Sequence, residues 1–554
     1  MTHGISRRRL LTLGASTVVS AFAGFPQFLV RAANLPTFDV TRHPFGAVGD
    51  GERDDTAVIQ QAIDRASSAG GGTVLLPPGR YLVSRPLRVD TSHIQLVGTP
   101  GRTILTRKSP TGYIKVGSQR RLNGASACFI EERSGVGSLS VRVRQSPGRP
   151  ITGDSWVVLM AGRVTPDGNA IGPLDSNGAR SRVAQFIHVR SVRNSVLELS
   201  TPLRTECGPE TGDSVVPVEW IRGCRISGIG FDGAGHMTGR DLNESNVLTL
   251  EWCLEPVVRT VEAWDLPNLF VSLEGCLRAD VSEVVCRNTL STDIEDSNRG
   301  FGYAVVERGL NEGALISHLR TDRVRHAYTT ANSSSRIGAP FGSRISHSVA
   351  MATRGAGFDT HPIGESIAFV NCAAIGSLHA GFQIRSAATQ VIGCSAHDCQ
   401  GAALQIHVTA TDTQVSGFVS SRTGFGRVRG IDWTKRGAIY DRGTRTTIHG
   451  AQIAGCAGPG VQLDEGGNDP SYRAIRVNNP CLAGHSPMVG FRLSGRSITH
   501  FLLESCLVSS DDRRLDAGFE IETPQLADGV VRACVVRNAN EVVKTSSVAV
   551  RIDD

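Results

Sequence analysis

The sequence predicts an all-β protein built as a parallel β-solenoid, in which each repeat forms one coil. A five-residue pattern with fixed apolar positions recurs about every two dozen residues in the C-terminal half. A second apolar column precedes several copies, and no helical period separates them. Repeats of this length in short alternating strands are typical of β-solenoids. The copies are Gly357–His361, Gly381–Arg385, Ala403–His407, Gly460–Asp464, Gly490–Ser494 and Gly518–Glu522.

The alternation within each copy predicts which side chains form the core. Successive side chains of a strand point to opposite faces, so the second residue of each copy should lie inside the coil. These residues are Phe358, Phe382, Leu404, Val461, Phe491 and Phe519. The composition agrees, because glycine is abundant (62 of 554 residues) and aromatic residues make up only 5%. Many tight turns between short strands require this balance.

The N-terminal residues indicate export. Arg7 and Arg8 precede an apolar run from Leu11 to Ala23, which resembles a twin-arginine (Tat) signal. The run is shorter than the roughly 20 apolar residues that a membrane-spanning helix needs. We therefore expect residues 1–33 to be a Tat-type signal peptide. The mature protein should be periplasmic or extracellular, without a membrane segment.

Charge and cysteine usage point to no cofactor. The net charge of +6 mildly favours an anionic partner, and no pattern indicates nucleic acid. Cys372, Cys394, Cys506 and Cys534 recur at matching places in successive coils. We expect them to be small buried apolar residues rather than disulfides. The only local metal-like cluster, Cys394–Cys399, lacks a CxxC partner, so the sequence predicts neither a metal nor another cofactor.

Residues 34–109 should form an N-terminal cap and the first coils. From Asp54 to Ile63, apolar residues at i, i+1, i+4 and i+5 predict an amphipathic helix. A solenoid needs such a lid, because its end would otherwise expose the core and unpaired strand edges. Asp50, Asp54 and Asp55 resemble catalytic carboxylates, but we expect them to form turns and cap the helix.

Three segments of this region carry a family resemblance. FGAVGDG (45–51), DDTAVIQQAI (54–63) and GGGTVLLPPGRY (70–81) are similar to the N-terminal region of the pectate-lyase-like superfamily. That superfamily includes polygalacturonase-related hydrolases, polysaccharide lyases and phage tailspikes, all of them right-handed parallel β-helices. The resemblance covers roughly residues 38–105. It implies a right-handed parallel β-helix here and does not select a reaction.

Residues 110–216 break the rhythm of the coils. Val141–Val143, Trp156–Met160, Phe186–Val189 and Val196–Leu199 are strand-like and are joined by long polar stretches. We expect a small inserted β subdomain that forms a wall of the cleft. The coils should resume near Trp220 and occupy residues 217–554.

Aligning the coils by their interior residues brings polar residues together on the outside. One predicted column contains Thr329, Asp359, Gln383 and Gln405, and the next contains Ala331, His361, Arg385 and His407. Adjacent coils stack about 4.8 Å apart, so the charged members should form one patch. Later coils carry Asp464, Ser494 and Glu522 at comparable places, with no similar concentration of histidine and arginine.

The patch suits proton transfer beside an anionic sugar, since it combines a carboxylate, imidazoles and a guanidinium. The predicted catalytic residues are Asp359, His361, Arg385 and Tyr328. The predicted substrate-binding residues are Arg325, His326, Gln383, Gln405 and His407. A calcium site is possible in principle, but Asp322, Asp359 and Glu365 are too scattered in sequence to indicate one.

A second resemblance falls on this patch. Phe358-Asp359-Thr360-His361-Pro362 is similar to the F-D-P-H segment of alginate C5-epimerases, which are also right-handed β-helices. The resemblance implies catalytic roles for Asp359 and His361. The family's tyrosine falls at Ala356 and its second aspartate at Arg385. Tyr328, one coil earlier, is a hypothetical source of the missing hydroxyl.

The sequence therefore favours a secreted carbohydrate-active enzyme whose partner is an anionic polysaccharide. The preferred reaction is β-elimination at a uronate, in which His361 or Tyr328 takes the C5 proton, Arg385 neutralises the carboxylate and Asp359 orients His361. Three alternatives stay open. They are polygalacturonase-type hydrolysis, although the motifs of those hydrolases are missing, C5-epimerisation, and non-catalytic glycan binding of the tailspike kind.

Overall fold

The computed structural model describes most of the chain after the predicted signal peptide. The described residues are 35–107, 112–118, 126–146, 150–161, 183–233, 246–289, 302–332, 337–428, 430–464, 469–495, 498–511, 514–524, 526–545 and 549–553. The signal peptide predicted at residues 1–33 lies outside them. Within the described part of the chain, no helix is long and apolar enough to cross a membrane.

The predicted parallel β-helix is confirmed, and a typical coil contributes three short strands. Phe358–Asp359 belongs to a 14-stranded parallel sheet, while Ala368–Val370 and Ala373–Ile375 belong to a 29-stranded sheet. The same three positions recur in the next coil as Phe382–Ile384, Gln390–Ile392 and Ser395–His397. Each strand pairs with its counterparts in the coils before and after it, so the backbone hydrogen bonds run along the solenoid axis.

The 14-stranded sheet, called the site sheet below, carries the predicted patch. Its strands are Leu87–Val89, Ile114–Val116, Leu248–Glu251, Val271–Glu274, Tyr303–Arg308, His326–Ala331, Phe358–Asp359, Phe382–Ile384, Leu404–Ile406, Ile439–Asp441, Val461–Leu463, Val489–Ser494, Leu515–Glu522 and Ala539–Thr545.

The 29-stranded sheet forms the remaining faces of the coils. Its strands are Thr37–Asp39, Asp50–Asp54, Gly72–Leu75, Gly79–Leu82, Ile94–Val97, Thr103–Thr106, Arg225–Ser227, Gly230–Asp232, Val257–Trp264, Asp280–Arg287, Leu315–Ser317, Arg320–Asp322, Arg344–Ser346, Val349–Met351, Ala368–Val370, Ala373–Ile375, Gln390–Ile392, Ser395–His397, Gln414–Ser416, Val419–Ser421, Thr447–His449, Gln452–Ala454, Ser471–Arg473, Arg476–Asn478, His500–Glu504, Leu507–Ser509, Asp528–Arg532, Val535–Arg537 and Val550–Asp553. Short pairs are formed by Ile221–Arg222 with Cys253–Leu254, Asn311–Glu312 with Pro340–Phe341, and Arg427–Val428 with Ile431–Asp432, and two 3-10 helices span Pro209–Thr211 and Trp433–Lys435.

The core is a set of stacked side chains inside the coils. The rings of Phe358 and Phe382 stack with centroids 5.0 Å apart, and Phe369 meets both rings edge-on. Burial of such apolar side chains supplies most of the free energy that holds the coils together. All thirteen cysteines are free, and twelve of them are buried. They fill space in the core, as their recurrence predicts.

The predicted lid is the helix Thr56–Ser68. Its buried residues include Ile59 and Ile63, which belong to the same apolar core as the coils. The Asp55 carboxylate accepts hydrogen bonds from the backbone N–H groups of Val48 and Gly49, at 2.8 and 2.9 Å. This acid therefore fixes the turn before the helix.

The inserted subdomain is a closed antiparallel barrel. Its strands are Cys128–Ile130, Ser140–Arg144, Ser155–Met160, Ala184–Arg193, Val196–Leu199 and Ser214–Pro217. Ile114–Val116, which falls inside the range predicted for the insert, instead pairs with two strands of the site sheet. The chain therefore leaves the solenoid after Val116 and rejoins it at Ile221. Barrel residue Phe186 packs against Trp252, so an apolar contact seats the barrel on the coils.

Candidate active site

The outward face of the site sheet carries the two predicted columns. Asp359 is in register with Gln383, and Gln383 with Gln405, across three coils. Tyr328 is in register with Phe358, which places Thr329 beside Asp359. The alignment of coils by their interior residues is thus correct at this patch.

Asp359 is the centre of the patch and is fully buried, with 0% of its surface exposed. Its Oδ2 atom accepts hydrogen bonds from Arg385 Nη2 at 2.6 Å and from Thr329 Oγ1 at 2.9 Å. His361 Nε2 lies 3.6 Å from the same oxygen, and His326 Nε2 lies 4.0 Å from it. Strand alternation predicts an outward side chain open to water. The side chain does point outward, but these neighbours cover it.

The Arg385 guanidinium keeps Asp359 charged. Burial alone would raise the pKa of this carboxyl, but the charge of Arg385 acts against burial, and the pKa is lowered to about 2. A carboxylate with so low a pKa is a weak base near neutral pH. Asp359 is therefore suited to orienting its neighbours and stabilising positive charge on them.

His361 and Arg385 reach the patch with their backbones held from the neighbouring coils. The Thr330 hydroxyl accepts a hydrogen bond from the His361 backbone N–H at 2.7 Å. The Thr360 hydroxyl accepts one from the Arg385 backbone N–H at 2.9 Å, and its carbonyl accepts one from Arg385 Nε at 2.8 Å. The side chains of His361 and Arg385 are 21% and 17% exposed, so a ligand can contact both.

His326 and Arg325 lie on the other side of Asp359. His326 is nearly buried, and its Nδ1 lies 2.7 Å from the carbonyl oxygen of Ala356. Burial lowers the pKa of this imidazole to about 3, so it is neutral. Its ring stacks on Tyr303 with centroids 5.3 Å apart, and the Arg325 guanidinium lies 5.8 Å from the Tyr303 centroid.

Tyr303 is a site residue that the sequence reasoning missed. It is in register with His326, which is level with Ala356, the position where the epimerase-like pattern expects a tyrosine. Burial raises the pKa of Tyr303, and so does the charge of Asp359, so the hydroxyl keeps its proton. Its strand lies one coil further towards the N-terminus than the coils that the apolar repeats align.

Tyr328, in contrast, cannot serve the patch. It is fully buried inside the solenoid, packs against Phe369, and donates a hydrogen bond to Glu307 Oε2 at 2.6 Å. The alignment that places Phe358 in the core places Tyr328 there too. The predicted catalytic role of Tyr328 is therefore corrected, because its hydroxyl is on the wrong side of the sheet.

The remaining predicted binding residues lie on the next coils of the site sheet. Gln383 is partly exposed, whereas Gln405 is buried and its Oε1 has no hydrogen-bond partner among the residues that the structure describes. His407 is partly buried, and its Nδ1 lies 3.2 Å from Thr409 Oγ1. Burial lowers the pKa of His407, and the charges of Arg385 and Arg442 lower it further.

Two other charged clusters flank the patch on the same face. In the C-terminal direction, Asp464 Oδ2 lies 3.1 Å from Arg436 Nη1 and accepts a hydrogen bond from the Tyr440 hydroxyl at 2.9 Å. In the N-terminal direction, Glu251 is in register with Glu274.

The N-terminal cluster has an unusual acid. Lys115 Nζ lies 3.0 Å from Glu251 Oε1, and Arg308 follows Glu274 in register. Burial, followed by the charge of Glu251, raises the pKa of Glu274 to about 7. The amino-acid pattern alone does not indicate this cluster, because its residues lie before the regular repeats begin. Among the described residues, no group of three or more histidine, cysteine or acidic side chains is arranged to hold a metal ion.

The comparisons with known proteins agree with this fold. The family profile described as "Rhamnogalacturonase A/epimerase, pectate lyase-like" matches residues 40–133. A tailspike of Pseudomonas phage phi297 superimposes with a TM-score of 0.58, covering 90% of this chain and 80% of the tailspike at 11% identity. At that identity the likeness concerns the fold alone.

Two curated relatives match shorter parts of the chain. A mannuronan C5-epimerase of Azotobacter vinelandii is 70% identical over 40 residues, which is 7% of this chain and 2% of the epimerase. A K1-specific capsule depolymerase of Klebsiella phage K64-1 is 36% identical over 167 residues, which is 30% of this chain and 18% of the depolymerase. The chain thus matches only a small share of either relative's length.

The fold and the Asp359 patch together define a parallel β-helix protein with a charged site on one sheet. Within that class, residues 40–133 match a pectate-lyase-like family profile, in agreement with the N-terminal signatures.

Proposed function

We propose that this protein is an exported carbohydrate-active enzyme that cleaves a uronate-containing polysaccharide by β-elimination at the Asp359 patch. The observation that carries the proposal is the partly exposed His361, whose Nε2 lies 3.6 Å from the buried Asp359, a carboxyl with its pKa lowered to about 2. A carboxylate at this distance orients the imidazole and stabilises its protonated form. The pair is a suitable base for a carbon-bound proton.

The residues divide the reaction between them. His361 takes the proton from C5 of the uronate, the electron pair forms the C4–C5 double bond, and the C4–oxygen bond breaks. Arg385 and Arg325 supply positive charge for the uronate carboxylate, on which negative charge develops in the transition state. Tyr303, whose pKa is raised by burial, gives its proton to the departing oxygen. Tyr303 thus supplies a hydroxyl to the patch, whereas Tyr328 was expected there as an alternative base to His361.

The relatives support a glycan as the partner. Two of them are a C5-epimerase of mannuronan and a depolymerase of a bacterial capsule. Epimerisation would share the opening step, because C5 must also lose its proton there. In epimerisation, however, the proton returns to C5 from the opposite face and the C4–oxygen bond stays intact.

The test is a screen of the purified protein on alginate, polygalacturonate and uronate-containing capsular glycans. Ultraviolet absorbance of the unsaturated product and proton exchange at C5 should be followed together. We expect new absorbance with the native protein, and its loss with His361→Ala. Proton exchange without absorbance would replace elimination by epimerisation. New reducing ends without absorbance would replace it by hydrolysis.

Hydrolysis is the second candidate, and the Glu251–Glu274 pair favours it. Glu274, with its pKa near 7, could donate a proton to a glycosidic oxygen, while Glu251 forms an ion pair with Lys115. The two residues lie on adjacent strands, spaced about 4.8 Å apart, and retaining glycosidases place their carboxyl groups about 5–5.5 Å apart. Activity that survives His361→Ala and is lost in Glu274→Gln would select this candidate.

A further inference from the structure

A cavity of about 310 Å³ lies between the inserted barrel and the coils. Barrel residues Arg204 and Thr205 line one side, and Pro362, Glu365 and Ala387 line the other. Pro362 directly follows His361, and Ala387 lies two residues after Arg385. The cavity therefore adjoins the Asp359 patch. Its size is at the lower end of the range for small-molecule pockets, about 300–1,000 Å³.

The barrel wall of this cavity is held rigidly against the solenoid. The Arg204 guanidinium lies 3.7 Å from the centre of the Phe341 ring, and its Nη2 atom lies 2.8 Å from Glu312 Oε1. The same Glu312 oxygen accepts a hydrogen bond from the Phe186 backbone N–H at 2.7 Å. Glu312 of the coils thus binds both Arg204 and the Phe186 backbone of the barrel. The shape of the cavity is therefore set before any ligand binds.

The charges of the cavity differ from those of the patch. Arg204 is already neutralised by Glu312, and Glu365 adds a further carboxylate to the lining. Glu365 would repel a carboxylate of a bound ligand. The hydroxyl groups of a ligand could instead donate hydrogen bonds to Glu365 and accept them from Arg204. Phe341 and Ile363 add apolar surface, which suits the carbon-bound hydrogens of a sugar ring.

We infer that the cavity binds one uncharged glycosyl residue of the substrate, adjacent to the uronate at the Asp359 patch. This inference rests on the proposed function and narrows its substrate class. The substrate is then a heteropolysaccharide in which a uronate is joined to a neutral sugar, rather than a polyuronate. The inserted barrel is the element that creates this selectivity.

The first experiment measures cleavage of alginate, polygalacturonate and capsular polysaccharides that alternate a uronate with a neutral hexose. Ala387→Trp and Thr205→Trp fill the cavity from opposite walls, and Val408→Trp is the control on the next coil. With an alternating glycan, both cavity variants should raise KM at least about tenfold with little change in kcat, since they remove binding and not chemistry. The control should behave like the native protein.

The results separate the two proposals. In one possible result, Asp359→Asn abolishes cleavage and neither cavity variant alters it. This result would overturn the cavity assignment and leave the proposed function intact. Cleavage of polyuronates alone would do the same. If none of the glycans is cleaved, the proposed function fails, and binding alone decides the cavity assignment.

Binding is measured separately by saturation-transfer NMR with free D-glucose, D-galactose, D-mannose and D-glucuronate. We expect a signal from at least one neutral sugar that disappears in Ala387→Trp and Thr205→Trp and persists in Val408→Trp. A cavity-dependent signal from glucuronate alone, or no signal that depends on the cavity, would overturn the assignment.

Discussion

Asp359 and Arg385 form an ion pair between adjacent coils, with Oδ2 and Nη2 2.6 Å apart and the carboxylate closed to solvent. The pair therefore has two roles. It links two strands of the site sheet, and it sets the charge of the proposed active site. These roles can be separated, because a buried charge is costly only when its partner is absent.

Arg385→Ala should reduce both stability and activity. It leaves Asp359 buried without its guanidinium partner, which costs about 3–5 kcal/mol of unfolding free energy. The double variant Asp359→Asn/Arg385→Ala removes both charges and should regain much of that stability while staying inactive. Urea unfolding and kcat/KM, measured on the two single variants and the double, check this. Additive losses of stability would show that the pair is not energetically coupled.

The two tyrosines near Asp359 should respond in opposite ways. Tyr303→Phe removes the proposed proton donor and should lower kcat by about a hundredfold, with little change in stability. Tyr328→Phe removes a hydrogen bond to buried Glu307 and should cost about 1–3 kcal/mol of stability without changing kcat. Thermal unfolding and steady-state kinetics of the two variants distinguish these outcomes. A loss of kcat in Tyr328→Phe alone would restore the role first expected of that residue.

The repeats were sufficient to predict the fold and the register of the patch. Apolar alternation places Phe358 and Phe382 inside, so it also fixes the outward neighbours Asp359 and Gln383. The alternation of apolar residues does not predict that Asp359 is buried. It depends on His326 and Arg385, which reach over the strand from neighbouring coils.

Tyr303 escaped prediction for a related reason. Its strand reads Tyr-Ala-Val-Val-Glu-Arg, and Glu307 occupies an inward position where the alternation expects an apolar residue. The structure satisfies this carboxyl with the hydroxyl groups of Tyr328 and Ser343. A polar residue inside the core interrupts the pattern, so the columns could not be extended back to this coil from sequence alone.

Export is expected to depend on the twin arginines. Replacing Arg7 and Arg8 with lysine should leave unprocessed precursor in the cytoplasm, because the Tat pathway reads that pair. Cell fractionation with an antibody to the mature protein measures the distribution. Replacing His3 with lysine is a control outside the pair. Unchanged export of the double-lysine variant would remove the Tat assignment.

Buried Glu307 should make the solenoid less stable as the pH rises. Burial raises the pKa of this carboxyl from 4.5 to about 7, so the folded state binds its proton more tightly than the unfolded chain does. Its contribution to stability is complete below about pH 4.5 and is lost as the pH rises through about 7. A difference of this size corresponds to about 3 kcal/mol.

Glu307→Gln should remove this pH dependence, because an amide stays neutral and can still accept a hydrogen bond from Tyr328. We expect the variant to gain stability relative to the native protein between pH 5 and pH 8, by roughly the same few kcal/mol. Urea unfolding at both pH values measures the difference, and taking it against the native protein cancels other titrating groups. Glu522→Gln, at an exposed position of the site sheet, is the matched control and should show no such gain. The stability difference between Glu307→Gln and the native protein could instead be the same at both pH values. In that case the pKa of Glu307 is not raised by folding, and the prediction is wrong.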